Sequence, residues 1–401
     1  MEGMAMPMSS ARAEGYRWLT RLLSRAASSL ALVGLLVVAA GAITGLQVLS
    51  ALPALAASVS ARGPSAAVDS FENEYVFWKG TDGNLWEALH NSYTNRWSTH
   101  DLKMGPLGSE PTVAVTNQVF RGPGGKLFNA VYVYWRGTSG GLFFAYWNGH
   151  WHASDLGIKP ICSQPSATFV TSPFGPKIVI FWKGLGVSGS CSRGPDINKL
   201  WYAFSTSFPP TGPGDYSGPT LDTHAQFVGS SPSITTVRST CAPDALCDKY
   251  VVIAWQGTSG YLWEEVWNQA NGDVSGPTRD TRAGVIGSAP SVGAISLEVG
   301  SSAPVDTWDV TWRGTSGHLL YAHPSTANIN VGAIPFGASS GALGSAPTIA
   351  EGQKGTGPPA DFHDIFIFWK GGPPHSNLFE AFYNGHSGHW HIYPLGMGPL
   401  G

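Results

Sequence analysis

Charge is scarce in this chain. Only 12 % of its 401 residues are Asp, Glu, Lys or Arg, about half of the roughly 25 % usual in soluble domains. A basic excess is also missing: 23 Lys and Arg stand against 26 Asp and Glu, a formal charge of −3. That argues against a nucleic-acid binder, which needs positive charge to neutralise phosphates. Poverty in Lys and Glu, with many Gly and Pro, argues against a helical bundle. Cysteines number only 4, and none are in C-x-x-C spacing, so they do not read as metal ligands. What is plentiful is Gly (51), Pro (29) and Trp (16), and a hydrophobic share of 43 % excludes wholesale disorder. Few charges and many Trp suggest a β protein that meets its partner through aromatic surface.

Residues 1–61 differ from the rest. Arg12, Arg17, Arg21 and Arg25 precede a stretch, 26–61, without any charged residue. The apolar density peaks from Leu30 to Leu49, and small-residue patterns follow at Ala54-Leu55-Ala56 and Val59-Ser60-Ala61. This reads as a secretory signal peptide. An uncleaved transmembrane anchor is the competing reading, because about 20 apolar residues can span a bilayer. Either reading puts residues 62–401 outside the cytoplasm, secreted or membrane-anchored. All four cysteines, Cys162, Cys191, Cys241 and Cys247, lie in that exported part. Two disulfides are expected there. Three pairings are possible; Cys162–Cys191 and Cys241–Cys247 are favoured because each closes a local loop.

A strand-like run ending in Trp, then Lys, Arg or Gln, then Gly recurs six times, at Trp78, Trp135, Trp182, Trp255, Trp312 and Trp369. The intervals are 57, 47, 73, 57 and 57 residues, one period with loop-length differences. Each copy holds four β-like pieces: a short one after a Pro-Ser or Pro-Thr turn, the run into the Trp, a piece starting at Leu, and a last piece that carries Trp97, Trp151 or Trp390. Gly-bearing turns such as Thr138-Ser139-Gly140 join the second and third pieces. Four strands repeated six times predict an all-β fold, a six-bladed β-propeller of four-stranded antiparallel blades over 62–401. Closure is expected from packing of the last blade on the first, without a swapped strand.

The runs Val76–Ala88, Tyr146–Gly157 and Leu343–Ala350 together resemble the repeat of β-propeller lectins of the Photorhabdus type, which bind fucose or O-methylated sugars. Six blades match the fucose lectins of the Aleuria type instead. Those place a Glu two residues after the Leu-like position, where this chain has Glu87, Glu264 and Glu380, while Phe144, Tyr202 and Tyr321 stand in the other copies. Their Arg on the preceding strand falls on Val76 here.

Sugar sites pair an aromatic face with polar groups that hydrogen-bond hydroxyls. The residues that fit are Trp78, Lys79, Trp86, Glu87, Trp97, Trp135, Arg136, Trp147, Trp151, Trp263, Glu264, Arg313, Lys370, Glu380 and Trp390. Neighbours on a strand point to opposite faces, so each site would combine adjacent blades. The Trp of the Trp-Lys-Gly motif serves inter-blade packing equally well. His150-Trp151-His152 and His389-Trp390-His391 put imidazoles two apart, as a repeated strand feature rather than a zinc shell, with His152 and His391 as possible polar sugar contacts. No metal or cofactor is implied. Glu264-Glu265, or Asp306 with Asp309, form no recurring acid pair of the glycosidase kind. The reading is a non-catalytic, multivalent carbohydrate-binding propeller whose partners are cell-surface glycans or polysaccharide. The alternatives are a protein-interaction or envelope scaffold and, third, a glycan hydrolase or lyase.

Overall fold

A computed structural model describes residues 63–400 apart from 122–126, 159, 173–174, 185–190, 192–195, 226, 243–244, 270–272, 298–304, 325–328, 334–342, 353–363, 373–376, 385–388 and 398–399. Residues 1–61, with their export-or-anchor reading, lie outside the described residues, as do the side chains of Cys241 and Cys247. Among the described residues, no helix is long and apolar enough to cross a membrane.

Six antiparallel sheets of four strands follow one another along the chain, each with its strands hydrogen-bonded in chain order. Blade 1 consists of Ser65–Val68, Glu74–Lys79, Leu85–Asn91 and Arg96–Asp101. Blades 2 to 6 occupy 112–155, 166–221, 233–285, 291–333 and 348–394. This is the six-bladed β-propeller that the repeats predict. The second strands are rich in β-branched and aromatic residues, as the pleated geometry favours. Ile365, Phe366, Ile367, Phe368 and Trp369 are all buried, because a blade between two neighbours has both faces covered. In the turn into the third strand, Gly83, Gly140, Gly260 and Gly317 have φ of 82°, 83°, 84° and 85°, the conformation that glycine adopts without strain.

Each seam between blades has its own apolar core. Phe77 of blade 1 packs with Val133 and Trp135 of blade 2. At the seam of blades 6 and 1, Phe368 packs with Val76 and Trp78. Around the ring, the motif Trp reaches back to the preceding blade, and the residue before it faces the next. The first strands of consecutive blades are neighbours, with that of blade 1 beside that of blade 6. There a hydroxyl ladder links them: the Val113 N–H donates to Ser65 Oγ (3.0 Å), that of Ile234 to Ser166 (3.1 Å), that of Val292 to Ser233 (3.1 Å) and that of Ile349 to Ser291 (3.1 Å). The recurring Pro-Ser turns therefore staple one blade to the next.

The motif glycine accepts a clasp from the chain entering its blade. Leu107 bridges to Gly137, Val228 to Gly257, Ile286 to Gly314 and Leu343 to Gly371. Leu400 bridges to Gly80 in the same way, so the ring closes without a swapped strand, as expected. A Cβ on Gly80 or Gly257 would collide with the indole of Trp86 or Trp263. The short and long intervals around Trp182 flank blade 3, whose connection from Lys183 to Leu200 is longer than its counterparts. The expected disulfide Cys162–Cys191, with Cα atoms 5.2 Å apart, ties this connection to the clasp entering the blade.

Candidate functional site

The side-chain alternation of the strands decides which groove each candidate faces. Trp78 and Trp135 are only 4 % and 3 % exposed and lie in the seam cores. Their side chains thus serve the inter-blade packing that the motif equally allows. Trp263 sits opposite Trp255 and packs against the core between blades 3 and 4. Trp86 stacks on Trp78 with ring centroids 6.3 Å apart and donates its N–H to Asp82 at 3.2 Å.

The cations after the motif Trp are engaged by the clasps. Arg136 donates from Nη2 to the Gly108 carbonyl at 3.1 Å. Arg313 donates to the carbonyls of Leu343 (3.2 Å) and Gly287 (3.3 Å). Lys183 and Gln256, at the same position, reach the carbonyls of Gly229 and Ile286. Arg136 and Arg313 are thus ties of the clasps, both half-buried. Lys79 and Lys370 lie near Glu110, whose carboxylate accepts the Lys79 backbone N–H at 2.9 Å. Burial pushes Glu110 up to about 7, against the pull of the two lysines.

The position two after the Leu tells another story. Its six residues lie on the strand face toward the next blade, and an aromatic of that blade meets Phe144, Tyr202, Glu264 and Tyr321 directly. Glu87 lies opposite Phe77 on its strand pair, and Phe77 meets Trp151 of blade 2 edge-on at 5.8 Å. Trp147 and Trp151 pack on each other at 5.6 Å in the same wall. Glu87 is 7 % exposed, and burial raises its carboxyl to about 7; the His100 Nδ1 lies 3.7 Å away. Glu264 lies opposite Ala254 beside Trp308 of blade 5, and burial, with help from the Asp280 carboxylate, raises it to about 7. Glu380 is buried opposite Phe368, in the seam that holds Trp97 and Trp86 of blade 1. Trp97 itself stacks on His90 at 5.0 Å.

The other three grooves are filled at this position. Phe144 meets Tyr216 edge-on at 5.5 Å, Tyr202 meets Trp267 at 4.8 Å, and Tyr321 meets Trp390 at 6.2 Å. Trp390 therefore shares its groove with a tyrosine and not with a carboxylate. Carboxylate grooves and aromatic-filled grooves divide the ring three and three.

Trp308 was not among the sequence candidates, although it stands four residues before Trp312 and so shares its strand face by period two. The histidine pairs are not equivalent. His389, Trp390 and His391 lie on one strand, whereas His150 belongs to the turn before the strand that starts at Trp151. His152 stacks on Tyr146 at 4.9 Å and bonds Asn148 at 3.0 Å; His391 is exposed and stacks between Phe382 and Tyr393.

No family model matches the sequence, and no curated protein matches it. Solved structures do. A mutant of the Aleuria aurantia lectin in complex with Fucα1-6GlcNAc superposes with a TM-score of 0.57 at 16 % identity, covering 85 % of this chain and 97 % of that one. AofleA from Arthrobotrys oligospora gives 0.58 at 14 % identity, with 85 % and 88 % covered. The SapL1 lectin in complex with α-methyl fucoside gives 0.52 at 16 % identity, with 85 % and 98 % covered. At such identities the likeness is one of fold: this chain is built like the six-bladed propellers of Aleuria-type fucose lectins.

Proposed function

We propose that this chain is an exported, non-catalytic, multivalent lectin that binds neutral sugars in the grooves between blades 1 and 2, 4 and 5, and 6 and 1. One observation carries the reading. In those three grooves a Glu stands at this position, buried at Glu87 and Glu380 and half-buried beside Trp308 at Glu264, with aromatics of the next blade in the same seam, and in the other three an aromatic occupies the Glu position. An aromatic face packs against the C–H face of a pyranose, and the carboxyl bonds its hydroxyls. On the second strands the partners of the three Glu residues are Phe77, Ala254 and Phe368, and on the fourth strands His100, Thr278 and Tyr393, so no Lys or Arg is paired with them. A carboxylate in apolar company disfavours sialic or uronic acids and suits a neutral sugar with an apolar edge, such as a 6-deoxy or O-methylated hexose. The fold shared with fucose lectins and the repeat motifs of the Photorhabdus type support the same class. The N-terminal segment 1–61, as signal peptide or anchor, supports display to glycans on a surface, where weak repeated sites gain avidity.

A glycan array probed with the full chain, followed by calorimetric titration of the hits, tests this. Binding to neutral deoxy or O-methylated sugars at about three sites per chain is expected. The triple variant E87Q, E264Q and E380Q should weaken it at least tenfold, in line with loss of a charge-assisted hydrogen bond at each site. A folded protein that binds no sugar would sink the proposal and leave a protein-interaction scaffold.

A further inference from the structure

The groove between blades 3 and 4 has no carboxylate at the lectin position, yet it holds two others. Three residues after the Leu of each third strand stand Ala88, Ala145, Ala203, Glu265, Ala322 and Ala381 in turn. Five blades thus place a methyl group in the seam, and blade 4 alone places a carboxylate there, fully buried at 0 % exposure. A charge in that position is costly unless something pairs it. Asp222, at the end of blade 3, is 3 % exposed. Donor atoms of Asp222, His224 and Glu265 lie within 4.8 Å of one another.

The surroundings hold both carboxylates in place and leave one oxygen of each without a donor. The Trp267 indole N–H donates to Glu265 Oε1 at 2.6 Å. The backbone N–H groups of His224 and Ala225 donate to Asp222 Oδ1 at 2.9 and 3.4 Å. Glu265 Oε2 and Asp222 Oδ2 are buried and receive no donor from any other group, and the two carboxyls lie against each other, so an ion or a shared proton must sit between them. His224, on the solvent side, brings its Nδ1 within 3.4 Å of Asp222 Oδ1.

We propose that Asp222, His224 and Glu265 form a divalent transition-metal site, of the zinc class, that latches blade 3 to blade 4. Two carboxylates and an imidazole make a three-ligand set that zinc completes with water. The indole and backbone donors orient the ligands as outer-shell partners do. The half-exposed His224 gives the ion its way in. The site is independent of the sugar grooves and stands whether or not the chain binds glycans.

The test is zinc chloride titration of the chelator-stripped full chain against a chromophoric competitor, with thermal unfolding and the visible spectrum of the cobalt-loaded protein. One ion bound at micromolar or tighter affinity is expected, with a raised unfolding midpoint and the absorption of a four- or five-coordinate nitrogen–oxygen site. E265A restores the alanine of the other five blades. It should weaken binding at least tenfold and abolish the metal-dependent rise while leaving the metal-free protein as stable or more so. H224N, at an exposed position, should weaken binding without touching the fold and serves if E265A does not fold. Equal zinc uptake by the native chain and both variants would overturn the proposal, since surface histidines would then be the ligands. No uptake by the native chain would overturn it too, and would assign the gap between the carboxylates to a shared proton.

Discussion

Glu87 shows how a single buried carboxyl, here one proposed to bind sugar, is held at a cost in stability. Its environment is Phe77 and His100 on its own blade and the Trp147–Trp151 pair across the groove. Burial raises its carboxyl from the ordinary 4.5 to about 7. Between those values the folded chain holds a proton that the unfolded chain has released. Stability therefore falls as pH rises from 4.5 to 7, and this contribution is constant above that. The size is on the order of 3 kcal/mol, since each pKa unit corresponds to about 1.4 kcal/mol. E87Q keeps the shape and removes the titration. Urea unfolding at pH 4.5 and 7.5 should show a smaller drop for E87Q than for the native chain; identical drops would mean that Glu87 is not desolvated. A sugar bonded to this carboxyl would recover part of the cost, which fits a group kept for binding rather than for folding.

At the scale of strands and turns, the repeated small residues have identifiable duties. Ser233 Oγ accepts the buried Val292 N–H at 3.1 Å, one rung of the ladder between first strands. S233A leaves that N–H without a partner, at a cost of about 1–3 kcal/mol. The urea midpoint should drop accordingly with the m-value unchanged; an unchanged midpoint would show that the ladder is incidental. The elements themselves were legible in the sequence because local signals agree with the fold: apolar runs for strands, Gly at the positive-φ turns of blades 1, 2, 4 and 5, Pro-Ser or Pro-Thr at the start of the first strands. The site was legible only in part. Glu87, Glu264 and Glu380 stood out by position, but Trp308 did not, because its partner lies in another blade and no local spacing joins the two. Arg136 and Arg313 looked free because their acceptors are backbone carbonyls, which a side-chain pattern does not display. The pairing of Asp222 with Glu265 was invisible for the same reason as Trp308, and only the break in the run of alanines hinted at it.

Over the whole molecule the remaining question is how a linear array becomes a ring. Each blade needs a neighbour on both faces, so an open array would leave the outer faces of blades 1 and 6 wet. The ring joins them with the same device used at internal seams. Leu400 bridges to Gly80 as Leu107 does to Gly137, and both leucines are buried, at 5 % and 1 % exposure. Leu400 and Met397 pack with Val76 and Phe368, and the Gly63 N–H donates to the Ala346 carbonyl at 3.1 Å. If the closing seam is equivalent to the others, L400A and L107A remove equivalent clasps. Each should then cost about 2–5 kcal/mol, the range for emptying a buried leucine site. Both variants should unfold in a single transition, because the blades share their cores with neighbours all the way round. A full cost for L107A beside a negligible one for L400A would mean that closure rests on the first strands alone. In that case blade 6 would be the first to open, and amide exchange in 348–394 would exceed that of the other blades.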